Sequence, residues 1–374
     1  MNKYIFLIFT LMLFSCEKES KPIDSQNAST NCSTIHIRQD SGVSFYENNP
    51  TYNDINNTTH NWKFASFAEA NIDRNVFNSG INILEEHPTL FSFLLIRNDK
   101  IVYERYFNGS NKNHSNNIHS ASKSIISALI GIAIDKGIIR GVDQKISVFF
   151  PEYVSNDTLK KQITIKHLLN MTSGLEWTED YTEYSIERSD NWIEAILDLP
   201  MTNSPGTTFN YSTANTHILS AILKEAANEN TCEFLYSNLM TDLGIVVEHW
   251  GKDPQGYFSG GYNFYITPRE LAQFGLLYLN NGISASHQII SSSWINTSLS
   301  AQVFVGGEYS YGYCWWITNI LGSNVYKAWG YGGQYICLIP DFDIAIVSTA
   351  NTNGVYNQLD MDSFIENYVI PAVQ

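Results

Sequence analysis

One segment constrains the fold more than any other. Between about residues 120 and 136, Ile125, Ile126, Leu129, Ile130, Ile132, Ala133 and Ile134 leave a helix with hardly a polar face, and Gly137 closes it. A helix that is apolar around its whole circumference has no side to turn to water, so it must lie buried between other layers. The rest of the chain has to supply those layers.

Strand patterns supply them at both ends. Residues 92–97 and 101–107, separated by the Asn98-Asp99 turn, read as a hairpin. From about Tyr311, apolar or alternating runs at 311–317, 335–339 and 344–349 stand between Gly, Pro and Asp breaks, and a last helix covers about 360–373. In between, helical signals dominate. Thr164 caps a short helix with His167, Leu168 and Leu169 that stops at Thr172-Ser173-Gly174. Ile218, Leu219, Ile222, Leu223 and Ala226 keep helical spacing. Thr267-Pro268-Arg269-Glu270 is a capping box with Pro at the first helical position, leading into Leu271, Phe274 and Leu277 before Gly282. The predicted class is α/β (an α+β sandwich), with one antiparallel sheet assembled from both chain ends and an inserted helical region. The folded domain spans 62–374, its α/β part at about 62–140 and 300–374 and its helical part at about 141–299.

Hydrophobic residues make up 44% of the chain and aromatics 13%, enough for a sizeable core. The formal charge of −15, with no long basic run, excludes a nucleic-acid partner, because phosphate binding needs a field of Lys and Arg.

The N-terminus carries an address. Lys3 precedes an almost unbroken apolar run from Tyr4 to Phe14, too short to span a bilayer but right for a signal-peptide core. Residues 1–15 are therefore expected to be a signal peptide. Leu13-Phe14-Ser15-Cys16 resembles the lipobox of bacterial lipoproteins, which implies that Cys16 is lipidated and anchors the mature chain to the outer membrane of the cell envelope. Residues 16–61, rich in Ser, Asn, Asp and Thr, read as a polar tether. Cys32, Cys232, Cys314 and Cys337 remain, and four cysteines in an oxidising compartment allow three connectivities. Cys314 and Cys337, expected on two separate strands, are the one pair singled out, though free buried thiols are the expected state. No CxxC, HExxH or His-rich cluster occurs, so no metal is expected.

Three places could carry chemistry. In Ser120-Ala121-Ser122-Lys123 the hydroxyl and the ammonium stand at i and i+3, on one helix face. A serine hydroxyl needs a base to take its proton, and a lysine serves if burial brings its pKa from about 10.4 toward neutrality. Spacing alone is weak, since Ser15 and Lys18 repeat it across the expected cleavage point. The setting at the mouth of a buried helix is what raises the first match. Tyr211 follows a Ser204-Pro205-Gly206 turn and sits just ahead of a helix, where its phenol could project into a cleft. Trp329-Gly330-Tyr331-Gly332-Gly333-Gln334 lets a backbone approach a ligand closely and offers a strand N–H to an oxyanion.

Taken in order, five segments resemble the serine β-lactamase-like hydrolases. They are Ser-x-x-Lys, the stretch from Ile165 to Leu175, Pro-Gly-x₄-Tyr-Ser, the stretch from Gly260-Gly261 to Gly275, and Gly-x-Gly-Gly-Gln before residues 336–341. The form of the last is closest to the 6-aminohexanoate-dimer hydrolase and esterase branch. The resemblance covers about residues 62–374 and implies the β-lactamase/transpeptidase-like fold, helices on both sheet faces, no cofactor, and a small ester or amide substrate. Position by position it implies that Ser120 is the nucleophile, Lys123 its activator and Tyr211 the proton shuttle. Backbone N–H groups of Ser120 and Tyr331 would form the oxyanion hole. Gly330 in the last motif, and Glu179, Asp180 and Tyr181 on the acidic loop after Leu175, would bind substrate. Two positions depart from the class C β-lactamase pattern: Thr213 stands where Asn is usual, and Ala328 where a carboxylate-binding Lys is usual. Losing that Lys argues against efficient penicillin cleavage. A D,D-peptidase or β-lactamase, and a binding lipoprotein that has lost turnover, are the competing readings. The absence of a Gly-x-Ser-x-Gly elbow disfavours an α/β-hydrolase.

Overall fold

The computed structural model describes residue 32 and residues 61–179, 181–352 and 357–374. The expected signal peptide, the lipidation site Cys16, all of the tether but Cys32 and Asn61, and Asp180 lie outside the described residues. The main sheet contains β1 (Lys63–Phe64), β2 (Leu90–Arg97), β3 (Lys100–Tyr106), β4 (Val303–Gly306), β5 (Tyr309–Tyr311), β6 (Trp316–Ile320), β7 (Ser323–Gly330), β8 (Gln334–Ile339) and β9 (Ile344–Ala350). Their order is β1-β3-β2-β9-β8-β7-β6-β5-β4. The two chain ends meet at β2 and β9, which pair antiparallel with Leu95 opposite Ile346. One edge breaks the antiparallel rule, because β1 runs parallel to β3 over two residues.

The central strands are apolar on both faces, and their period of two divides them between two cores. Leu94, Ile96, Ile336, Leu338, Ala345 and Val347 join the larger core. Phe93, Leu95, Tyr335, Cys337, Ile339, Ile344 and Ile346 join the smaller one. The larger core holds α1 (Ser122–Asp135), α2 (Thr213–Ala227) and α3 (Pro268–Leu279). Short helices at Arg74–Ser79 and Ile81–Glu85 and the C-terminal helical stretch from Met361 cover the other face. The apolar helix is thus α1, and every residue from Ser122 to Ala133 is buried. Capping follows the sequence signals: Thr164 and Thr267 both make capping boxes, with His167 and Glu270.

Several details differ from expectation. The run at 311–317 is split between β5 and β6, because the intervening backbone bonds outside the sheet. Tyr313 N–H donates to Ser298 O, and Cys314 N–H to Leu169 O. Strand β7 was hidden by its polar residues. Its Lys327 is 2% exposed yet paired with Asp362 at 2.6 Å, which offsets the cost of burying the charge. A small further sheet pairs Asn116–Asn117, just ahead of α1, with Phe264–Ile266 and His249–Trp250 of the helical region. The cysteine expectation is half corrected: Cys314 and Cys337 are free and buried, but Cys32 is bonded to Cys232. Cys314 lies in the turn between β5 and β6 rather than on a strand, and the expected polar tether is pinned at residue 32.

Candidate active site

The Ser-x-x-Lys pair sits where α1 begins. Ser120 lies in a single 3₁₀ turn, His119–Ala121, just ahead of the helix rather than inside it. In 3₁₀ geometry side chains three apart eclipse, which suits the pair. Lys123 Nζ donates to Ser120 Oγ at 2.7 Å and to Thr213 Oγ1 at 2.9 Å. His119, immediately before Ser120, has a positive φ of 46°. Non-glycine residues adopt this left-handed region at a cost, and such strain gathers at functional sites.

Tyr211 arrives from a different element. Ser212 caps α2 by accepting from Asn215 N–H, so Tyr211 stands just outside the helix N-terminus. The preceding loop is held by Asn210, whose N–H donates to Met171 O and whose amide donates to Trp177 O. The stretch ending at Leu175 therefore serves to seat Tyr211. Lys123 Nζ lies 4.8 Å from the centre of the Tyr211 ring, and the phenol engages the Ser120 and Lys123 side chains.

The last motif closes the third side. A Cβ on Gly330 would stand 2.2 Å from Ile118 O and 3.2 Å from Ala121 N, so only glycine lets the end of β7 meet the Ser120 turn. Gln334 has a structural part in the motif. Its amide donates to Ala350 O and accepts from Ala350 N–H, tying β8 to β9. From the helical region, a Cβ on Gly261 would lie 3.0 Å from Lys123 Nζ. A Cβ on Gly260 would stand 2.0 Å from Thr216 O, so each glycine of the pair 260–261 answers to a different neighbour.

These elements enclose a cavity of about 430 Å³. Ser120, Tyr211, Gly330, Tyr331 and Glu179 line it, together with Glu183, Thr213, Tyr262, Trp316 and Trp329. Sequence reasoning had singled out the first five. Thr213 it had seen only as a departure, and Glu183 only as part of an acidic loop. Trp329 stands in the glycine motif but drew no role of its own, and Trp316, on the neighbouring strand, had no local signal at all. Tyr181 is 82% exposed and stands outside the cavity wall. Glu179 has both carboxylate oxygens engaged, accepting from Thr213 N–H at 2.6 Å and Thr213 Oγ1 at 3.0 Å.

The electrostatics correct one expectation. Burial does press Lys123 toward its neutral form, but Tyr211, Glu179 and Glu183 outweigh it and hold the lysine above its ordinary range. Tyr211 is also raised, by burial first, with Lys123 pulling it back. His119 is pushed down to about 3, by burial and then by Lys123, and is neutral. The resting centre is an ammonium and a phenol flanking a hydroxyl. One face of β7 explains the missing carboxylate ligand. Ala328 belongs to the core on the α1 side, while Lys327, one residue earlier, points through the sheet to Asp362.

Comparison with known proteins agrees with this architecture. A 6-aminohexanoate-dimer hydrolase from Paenarthrobacter ureafaciens is 25% identical over 292 residues, covering 70% of this chain and 72% of that protein. A candidate 6-aminohexanoate-dimer hydrolase from Bacillus anthracis superposes with a TM-score of 0.71 at 20% identity, covering 91% of this chain and 93% of the other. EstCE1, a hydrolase with promiscuous acyltransferase activity, gives 0.63 at 15% identity over 82% and 98%. These structures share the β-lactamase/transpeptidase-like fold. The beta-lactamase family model matches residues 91–363, from the second strand of the sheet to the last helical stretch, and this chain therefore belongs to the beta-lactamase family of hydrolases.

Proposed function

We propose that this protein is a serine hydrolase that cleaves an ester or amide through an acyl-enzyme on Ser120. The observation that carries the reading is Lys123 Nζ at 2.7 Å from Ser120 Oγ beside Tyr211, at the wall of a 430 Å³ cavity. The reactive form has one proton fewer than the resting pair, with Lys123 still charged and Tyr211 as phenolate. Tyr211 takes the Ser120 proton as Oγ bonds to the carbonyl carbon, and the oxyanion falls between the N–H groups of Ser120 and Tyr331. The bond to the leaving group then breaks, and that group takes the proton from Tyr211. Water repeats the sequence: Tyr211 accepts its proton, hydroxide adds to the acyl carbon, and Ser120 leaves with the proton.

The wall narrows the substrate class. It presents Glu179 and Glu183 beside Tyr262, Trp316, Trp329 and Tyr331, and none of its described residues is Lys or Arg. A neutral or cationic ester or amide suits such a wall, and a carboxylate-bearing β-lactam or D-alanyl peptide does not. We further propose that the protein is exported and lipid-anchored at Cys16 in the cell envelope. The Cys32–Cys232 bridge supports export, since such cross-links persist in oxidising compartments.

A fluorophosphonate probe tests the enzyme reading: labelling is expected in the wild type and lost in Ser120→Ala. A folded wild type that stays unlabelled and turns over none of p-nitrophenyl esters, D-amino acid amides or a chromogenic cephalosporin overturns it in favour of a binding protein. Labelled palmitate should enter the wild type but not Cys16→Ser, and equal incorporation would sink the anchor.

A further inference from the structure

We propose that Glu179 and Thr213 form a hydrogen-bonded relay with one fixed direction, positioning Lys123 for Ser120, and that Glu179 serves this relay rather than the substrate. The proposal rests on Ser120, Lys123 and Tyr211 being the reacting centre.

The direction follows from counting donors. A lysine ammonium has three N–H donors and no acceptor, so at 2.9 Å the oxygen of Thr213 must accept from it. The single proton on that hydroxyl then has to point elsewhere. Glu179 Oε2 lies 3.0 Å away and, as a carboxylate, only accepts. The other carboxylate oxygen takes the Thr213 N–H, the first of the fifteen-residue helix α2. The positive end of that helix favours a negative charge there. Both atoms of Thr213 that could rotate or drift are therefore tied to one carboxylate, and Lys123 is aimed at Ser120.

Fixing the hydroxyl has a chemical consequence. Lys123 stays an ammonium through the proposed cycle, so a Thr213 hydroxyl turned toward it would set a donor against a donor and push the amine off its line to Ser120. With the Thr213 proton committed to Glu179, only a lone pair faces Lys123, and its other N–H donors stay on the reacting groups. This also accounts for Thr at the position where the resembling enzymes carry Asn. An Asn amide can accept from the lysine without help, whereas a hydroxyl needs a partner to hold its proton away.

The groups facing Lys123 come from four other segments. Tyr211 lies on the loop before α2, Glu179 just ahead of and Glu183 within the short helix Tyr181–Glu187 into which the expected acidic loop folds, His119 on the preceding turn, and Cys314 on the turn between β5 and β6. His119 is neutral, and burial pushes the Cys314 thiol up to about 12, so the acidic pair and Tyr211 set the local field. Glu179 raises both Lys123 and Tyr211. Neutralising it must lower the pH at which the centre sheds its proton.

The test is the pH profile of kcat and KM for p-nitrophenyl acetate between pH 5.5 and 10, with fluorophosphonate labelling as a second readout. In Glu179→Gln the rise of kcat/KM should move about one pH unit or more toward acid, with KM changed less than about twofold. Thr213→Val keeps the size and the N–H bond but removes the acceptor, and kcat should drop about 10- to 100-fold at unchanged KM. Thr213→Ser should restore most of the loss. An unshifted profile in Glu179→Gln, or a raised KM at unchanged kcat and midpoint, overturns the relay and returns Glu179 to substrate contact. Failure of the underlying centre looks different: the wild type itself would be neither labelled nor active.

Discussion

At the scale of single residues, the centre depends on which of two raised groups gives up a proton. Lys123 lies above its usual range because three acidic neighbours outweigh burial, and Tyr211 lies above its own because burial outweighs Lys123. Both shifts favour the protonated forms, so the reactive state is scarce in acid and grows as pH rises. We expect kcat/KM for a p-nitrophenyl ester to keep climbing through pH 9 without levelling, with a midpoint that lies above the ordinary range of either group and belongs to the pair. In Tyr211→Phe the rate should fall about 10²- to 10⁴-fold and the alkaline climb should vanish. A variant with wild-type rates and profile would remove Tyr211 from the proton path. These residue types were legible in the chain because Ser-x-x-Lys and Tyr-Ser stand in ordered motifs. The lysine's protonation was not, since it depends on Glu179 and Glu183, more than fifty residues away.

At the scale of elements, the site is a junction of a 3₁₀ turn, a helix N-terminus and a strand end, held at contact distance by glycine. Gly330 has no room for a Cβ, which would stand 2.2 Å from Ile118 O. Gly330→Ala should force β7 away from the Ser120 turn. Overpacking of this kind costs about 1–3 kcal/mol, and a shift near 1 Å in the donors costs about 10²-fold in rate. Chemical denaturation and kcat measured on the same variant check both effects, and full activity would show that Tyr331 N–H is not needed. The sequence located most of the helices well because capping boxes and apolar periodicity are local. It located β7 poorly because a strand bearing Asn324 and Lys327 looks solvent-facing until Asp362 arrives from the C-terminal stretch.

At the scale of the whole molecule, one covalent link reaches across the chain. The Cys32–Cys232 bridge closes a separation of 200 residues and fastens the N-terminal segment to the helical region. Removing it with Cys232→Ser should cost about 2–4 kcal/mol, chiefly by freeing the unfolded chain. Thermal unfolding with and without reductant measures this. Equal melting temperatures for wild type and variant under oxidising conditions would mean the bridge adds nothing. Esterase activity should survive, because the bridge contributes no residue to the cavity wall. If Cys16 is the anchor, the bridge also leaves only residues 17–31 between the lipid and the first fastened point of the protein.

Local patterns determined the buried helix, the two-ended sheet, the helical insertion and which three side chains are proposed to react. Each of these follows from periodicity, capping or motif order, which act over a few residues. Tertiary structure alone decided which cysteines pair, which neighbours charge the lysine, and which side chains line the cavity. Those depend on contacts between segments tens to hundreds of residues apart. The same is true of Glu179, which reads as a solvated loop residue in the chain and becomes a partner of Thr213 only once the acidic loop packs against the start of α2.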